Sequence, residues 1–398
     1  MRKLLLRARS LIRSIASLPA VIFVVFIFIA LVQVAQTDEQ WELPGLLGRL
    51  DIQDLDTIRA ILAAVITGVF TLTIFAYTMV MNVIDRSIGS YSPRLLPLIV
   101  SERYHQQILG VGAGTIAHSI ILLLGVAEPP DAVAPPPLAA ASAGFFAVLS
   151  LILFIYFIHR VSRSIHVNVL LYKSFCHTAK CLDELLNGAG TYDWSDAEVP
   201  TTGSLVFAAK CGYLDEVDLP GLVRTGKVAA LIARPGTFVY QGDPILRRIE
   251  GADEGEDRLD RYFKLSEDEP IDVYGVGFRH LVEVSVKAAS PALNDPATAL
   301  TAMHYLVQLF ERLAQVGRVN RYGDPAGEGT LRINIWTPAE LIRTCYPELR
   351  RYLREDPWGV RAIRDGLQRI IEVYAKGSET ETVAAARQEL ALLNAETA

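Results

Sequence analysis

"AILAAVITGVFTLTIFAYTMVMNVI", residues 60–84, carries no charged side chain. As a helix rising about 1.5 Å per residue, it outlasts the roughly 30 Å hydrocarbon core of a bilayer. Three further stretches share this property. "LPAVIFVVFIFIALVQVAQ" (18–36) and "LAAASAGFFAVLSLILFIYFI" (138–158) are uncharged, and "QILGVGAGTIAHSIILLLGVA" (107–127) contains a single histidine. The pattern predicts an α-helical membrane protein with four transmembrane helices, occupying residues 1–160. The first run exceeds the roughly 7–15 apolar residues of a signal-peptide core, and more spans follow it, so it reads as a retained helix.

Lys and Arg in the flanks predict the orientation. Arg2, Lys3, Arg7, Arg9 and Arg13 precede the first span, and the loop 37–57 has one Arg against six acids. Arg86, Arg94 and Arg103 lie in 85–106, whereas "EPPDAVAPPP" (128–137) has no Lys or Arg; Arg160, Arg163 and Lys173 follow the fourth span. The alternation places both termini in the cytoplasm of a bacterial-type inner membrane, with residues 159–398 as a cytoplasmic α/β region.

Composition narrows the function classes. The chain has 398 residues and a net charge of −6, which gives no bulk attraction for nucleic acid. Cys176, Cys181, Cys211 and Cys345 all fall in the cytoplasmic part, where disulfides are disfavoured. "CHTAKC" sets His177 and Cys181 one helical turn apart, but no second ligand pair lies nearby in sequence, so no metal site is expected.

Within the spans, polar residues are informative because bilayer interiors penalise them. Thr67, Thr71, Thr78, Asn82 and Asp85 fall within an arc of about 60° on the second helix, at about 100° per residue. Such a stripe either lines a pore or packs against another helix. In the third span Gly110, Gly114 and His118 are spaced four apart. The glycines permit close approach of another helix. His118, level with about Thr71 to Thr73 when counted from the helix ends, is either a buried neutral residue bonded to a threonine or a proton-sensitive or ion-contacting one.

The C-terminal region reads in pieces. Residues 161–188 form a juxtamembrane helix continuing the fourth span to Gly188, and 189–203 form a turn-rich linker. Short strand candidates, "SLVFAA", "KVAALIA", "TFVY" and "PILRRIE", make a small β-module at 203–250. Gly236, Val239, Gly242, Asp243 and Ile245 resemble the rhythm of biotinyl and lipoyl modules, but no acceptor lysine follows Glu250, so no prosthetic group is expected. "GADEGEDRLD" (251–260) is an acidic, solvated loop. Residues 262–376 are α-rich, and 377–398 form a C-terminal tail. "TPAE" (337–340) is a capping box. The helices after it carry Arg343, Arg350, Arg351, Arg354, Arg361, Arg364 and Arg369, which read as a solvated, salt-bridged surface because acids are interleaved.

"KAASPALNDPATAL" (287–300) is a break between two helices. Pro291 blocks continuation of the first, and Asp295 caps the second with Pro296 at its first position. Ser290 and Asn294 can serve other exposed backbone groups. Ser290, Asn294 and Asp295 are therefore a candidate site on a structural turn. Asp272, Gly275, Leu281, Lys287, Ala288, Ser290, Pro291, Asn294, Asp295, Pro296, Thr298 and Ala299 match a signature. They resemble that of a bacterial family of predicted membrane proteins of unknown function. The resemblance extends over the whole chain and implies no activity, cofactor or substrate.

No nucleophile–base pair, P-loop, dinucleotide fingerprint or metal cluster is evident in the sequence, so no enzymatic activity is expected. The leading expectation is a homo-oligomeric channel or transport-like pore in the lipid bilayer, assembled or gated by the cytoplasmic domain. The alternative is a non-transporting membrane sensor or scaffold binding a small ligand, an ion or a partner through that domain.

Overall fold

The structure is a computed structural model. It describes residues 17–35, 52, 54–90, 103–126, 138–164, 167–187, 191–197, 201–251, 259–324, 329–377 and 379–397. The charged flanks 1–16, 37–50, 91–102 and 128–137, on which the orientation rests, and most of the acidic loop 251–260 lie outside these residues. The described residues divide into two compact units, the second beginning at Val167.

The N-terminal unit contains helices α1 (Ser17–Ala35), α2 (Leu55–Ser90), α3 (Arg103–Gly125) and α4 (Ala139–Ser164). All four are long and apolar enough to cross a membrane, and they coincide with the runs read from sequence. Their outward surfaces expose Phe28, Phe70, Phe145 and Ile155, as expected where the solvent is hydrocarbon. α3 is central and packs on α1 and α4. The close approach of α1 depends on the glycines: a Cβ on Gly110 would lie 3.0 Å from the Pro19 Cα, and one on Gly114 would lie 2.8 Å from the Phe26 ring. α2 joins through side chains. Ile58 and Leu62 pack with Leu122, Val126, Ala139 and Ala143, and the Phe75 ring meets that of Phe154. Asp54 caps α2 by accepting from the Thr57 amide, and Arg59 donates to the Val126 carbonyl at the end of α3.

The C-terminal unit begins with α5 (Val167–Asn187). This helix packs on α7 (Tyr274–Ala289) and α8 (Pro296–Val316) within its own unit. Strands β1 (Thr191–Asp193), β2 (Leu205–Phe207), β3 (Gly212–Val217), β4 (Val228–Leu231), β5 (Phe238–Val239), β6 (Pro244–Arg248), β7 (Phe263–Ser266), β8 (Arg321–Gly323) and β9 (Thr330–Arg332) form two sheets, and a short helix α6 (Leu219–Arg224) follows β3. The larger sheet runs β1-β8-β9-β4-β6-β2 and the smaller β5-β3-β7. The β-module of 203–250 therefore does not close on itself. β4 pairs with β6 and, in parallel, with β9, whereas β5 pairs only with β3. β1 lies inside the stretch read as a linker. It is held there by pairing with β8 and by the Asp193–Arg321 ion pair.

Helices α9 (Pro338–Leu353), α10 (Pro357–Tyr374) and α11 (Thr380–Thr397) complete the unit. In its helical core the Phe278 ring meets Phe310 edge-on, and Phe310 meets the tilted ring of Tyr346. The expected C-terminal tail is instead the packed helix α11, which buries Val383, Ala385, Ala386 and Leu393 against its neighbours. Its buried face sets Thr382 and Glu389 among Val383, Ala385, Ala386 and Leu393, so it shows no strong apolar stripe in sequence.

Candidate functional site within the helical bundle

α3 gathers the polar groups of the N-terminal unit. Thr115, His118 and Ser119 are fully buried on it. The His118 Nε2 lies 3.2 Å from the Ser142 hydroxyl of α4, and Ser142 donates toward Gln33 Oε1 of α1 at 3.4 Å and the Ala139 carbonyl at 3.1 Å. The Phe146 ring meets the imidazole edge-on at 4.9 Å. One turn earlier, Thr115 and Ser150 are hydrogen-bonded at 3.2 Å. Ser150 also borders a void of about 10 Å³ shared with Thr73, Val111 and Gly112, at the lower limit of the space that holds one water. His118 thus bonds to a serine of α4 and not to a threonine of α2. Gln33, Thr115, Ser142 and Ser150 were not singled out from the sequence. The i, i+4 pair Thr115 and Ser119 around His118 was the available signal.

The α2 stripe lies elsewhere. Thr67, Thr71, Thr78, Asn82 and Asp85 are all exposed, while Ile58, Leu62, Val69 and Ala76 form the buried face. At about 100° per residue the two sets lie on opposite sides of the helix. The hydroxyls of Thr67, Thr71 and Thr78 donate to the carbonyls of Ala63, Thr67 and Ile74, each four residues back, at 2.8–2.9 Å. The stripe therefore neither joins the His118 cluster nor packs inside its own bundle.

In the C-terminal unit, the 287–300 break has the expected capping chemistry. Asp295 Oδ1 accepts from the Thr298 amide at 3.1 Å, and Oδ2 accepts from its hydroxyl at 2.6 Å. The Ser290 hydroxyl donates to the Lys287 carbonyl at 2.6 Å. Asn294 adopts φ +47°, a left-handed conformation that asparagine tolerates better than most residues, and its amide donates to the Ser290 carbonyl. The three residues come together as one turn, in which the Ser290 hydroxyl and the Asp295 carboxylate are engaged locally and Asn294 contributes its backbone amide.

The upstream part of the signature is also packing. Asp272 meets His177 of α5 at 3.1 Å. Gly275 lies so close to Trp336 that a Cβ would collide with the indole. The Asp272 hydrogen bond raises the His177 pKa against the opposing effect of burial. Burial pushes the Cys181 thiol up to about 12, which makes it a poor metal ligand at neutral pH. Among the described residues no three His, Cys, Asp or Glu side chains converge. The arginines of α9 and α10 mostly face acids: Arg343 meets Glu381, Arg350 meets Glu389, and Arg361 meets Asp365. A cleft of about 50 Å³ between the end of α8 and the starts of α9 and α11 has most of its polar groups committed, although the buried Trp336 indole N–H in its lining has no hydrogen-bond partner. Arg318 lies over the Trp194 ring, Thr337 is in its capping box with Glu340, and Thr382 donates to Glu379.

A family model described as predicted membrane protein (DUF2254) matches residues 12–369. The chain belongs to the DUF2254 family. Among DUF2254-like relatives, uncharacterised proteins of Mycobacterium bovis and Mycobacterium tuberculosis are each 26% identical over 332 residues, covering 78% of this chain. The chain spans about 61% of the length of these relatives. No solved structure matches.

Proposed function

We propose that this DUF2254 protein is a homo-oligomeric channel or transport-like pore lined by α2, with both termini in the cytoplasm of the inner membrane. The C-terminal unit assembles or gates it. The observation that carries this reading is the orientation of the α2 stripe. Five polar side chains on a membrane-length helix face away from their own bundle, and polar residues in a span ordinarily face protein or water. Among the described residues a single bundle supplies no such environment on that side, so neighbouring copies would supply it, each contributing its α2 to a shared water-filled path.

The core of one bundle is filled where α1 seats on Gly110 and Gly114, which favours a path between copies. The sensor alternative drew on an open helix break, but the polar groups of Ser290 and Asp295 are engaged within the turn. No enzymatic step is part of this proposal. Ion flux through purified protein in liposomes tests it. Flux that scales with protein and is altered by stripe substitutions supports the pore, and absence of flux from well-folded oligomers overturns it.

A further inference from the structure

We infer that the turn at 290–295 is a membrane-interface foot: together with Val169 and Tyr172 of α5, it docks the C-terminal unit on the lipid headgroup layer. This inference goes beyond the pore reading and does not depend on α2 lining a path. It takes α4 as a membrane span.

Helix register places the turn. α8 runs parallel to α5, since the Tyr305 ring meets those of Tyr172 and Phe175 while Arg312, further along, pairs with Asp183. Counted back from Tyr305, the start of α8 at Pro296 lies about 14 Å earlier, at or just beyond the level where α5 begins. α7 runs antiparallel to α8, with Phe278 against Phe310 and the Ser285 hydroxyl donating to the Ala299 carbonyl. Gly277 packs against Thr178 of α5. The end of α7 at Ala289, about 18 Å further along, therefore reaches the same level. Two separate registers thus bring the 290–295 turn beside Val167, at the end of the unit where the chain arrives from α4.

That end cannot leave the bilayer surface. The apolar run of α4 ends at Arg160, the helix itself ends at Ser164, and α5 begins at Val167. Three chain links span at most about 11 Å, so α5 starts close to the end of α4 whatever its direction. The headgroup layer there is about 5–8 Å deep on each side of the hydrocarbon core.

The surface has the chemistry of that layer. Val169, Tyr172 and Leu293 are 37%, 54% and 38% exposed, and Pro291 and Ala292 are exposed beside Leu293. Tyrosine favours the boundary between hydrocarbon and water. The turn also carries its own hydrogen-bond partners. The amides of Leu293 and Asn294 donate to the Ser290 carbonyl and that of Asp295 to the Ala288 carbonyl. The Ser290 hydroxyl and the Asp295 carboxylate are engaged within the turn, and Pro291 has no amide hydrogen. Backbone whose polar groups are satisfied internally costs less to bring into a water-poor layer.

The test is spin-label accessibility in the full-length protein in lipid nanodiscs, in a background of Cys176→Ser, Cys181→Ser and Cys211→Ser that keeps the buried Cys345. Leu293→Cys carries the label, and Ala292→Cys replaces it should that variant not fold. Gln315→Cys is the reference, exposed on α8 and about 28 Å from Pro296. The ratio of collisions with oxygen, which concentrates in lipid, to collisions with a water-soluble nickel chelate is expected to be several-fold higher at 293 than at 315. An equal ratio at the two sites would place the turn in water, and low collision with both reagents at 293 would show it covered by protein. Either result overturns the inference.

Discussion

The Nε2 of His177 on α5 sits 3.1 Å from Asp272 Oδ1 and 3.1 Å from the Ile271 carbonyl, fastening α5 to the turn that opens α7. Asp272 therefore acts as an inter-helix tie. It also sets a pH dependence. The folded pKa of His177 is raised above its ordinary value near 6.5. Its stabilisation is therefore complete below about 6.5 and is lost as pH rises through the higher folded value. Lys180 opposes the shift. Asp272 is well exposed, so the pair is expected to contribute less than about 1 kcal/mol. Melting curves between pH 5 and 9 check this: Asp272→Asn is predicted to flatten the difference between the acidic and neutral limbs. An unchanged pH profile would show that the tie is not electrostatic.

Asp295→Ala is predicted to cost about 1 kcal/mol through the lost cap, and Asp295→Asn considerably less. Asn294→Val should cost about 1–2 kcal/mol, because a β-branched residue resists the left-handed conformation. Denaturant unfolding of the variants measures both. If the turn is purely structural, flux or assembly should fall only in step with stability. A selective functional loss in Asn294→Ala would assign the turn a second role.

The fold was legible where its causes are local. Four apolar runs of bilayer length became four helices within a few residues of their expected ends. Asp295 with Pro296, Gly317, and Thr337 with Glu340 mark helix boundaries through backbone groups a few residues away. What could not be read was non-local. β1 depends on β8, more than a hundred residues later, and β3 forms its own sheet with β5 and β7. α11 hides its packing in a buried face that mixes apolar residues with Thr382 and Glu389. The partners of His118 were similarly hidden. Spacing on one helix identifies the histidine, but only tertiary packing brings Ser142 and Gln33 to it.

Orientation can be tested without any functional assay. A cysteine added within 189–203 is predicted to be shielded from impermeant thiol reagents in intact cells and to react after permeabilisation. A cysteine added within 128–137 is predicted to react in both conditions. Labelling in the reverse pattern would invert the topology and the side on which a gating unit acts.

The central claim is that α2 faces water between copies of the chain, and cysteine accessibility along α2 tests it most directly. In reconstituted protein, Thr67→Cys, Thr71→Cys, Thr78→Cys and Asn82→Cys are predicted to react with small polar thiol reagents, and the modification should change flux. Val69→Cys, on the opposite side of the helix, and Leu72→Cys, about 110° round from the centre of the stripe, should react far less. Thr67→Val and Thr71→Val keep side-chain volume while removing hydroxyls, and should alter flux without unfolding the bundle. Unreactive stripe cysteines, together with folded valine variants of unchanged flux, would contradict the account and leave the stripe as a surface facing lipid or a neighbouring helix.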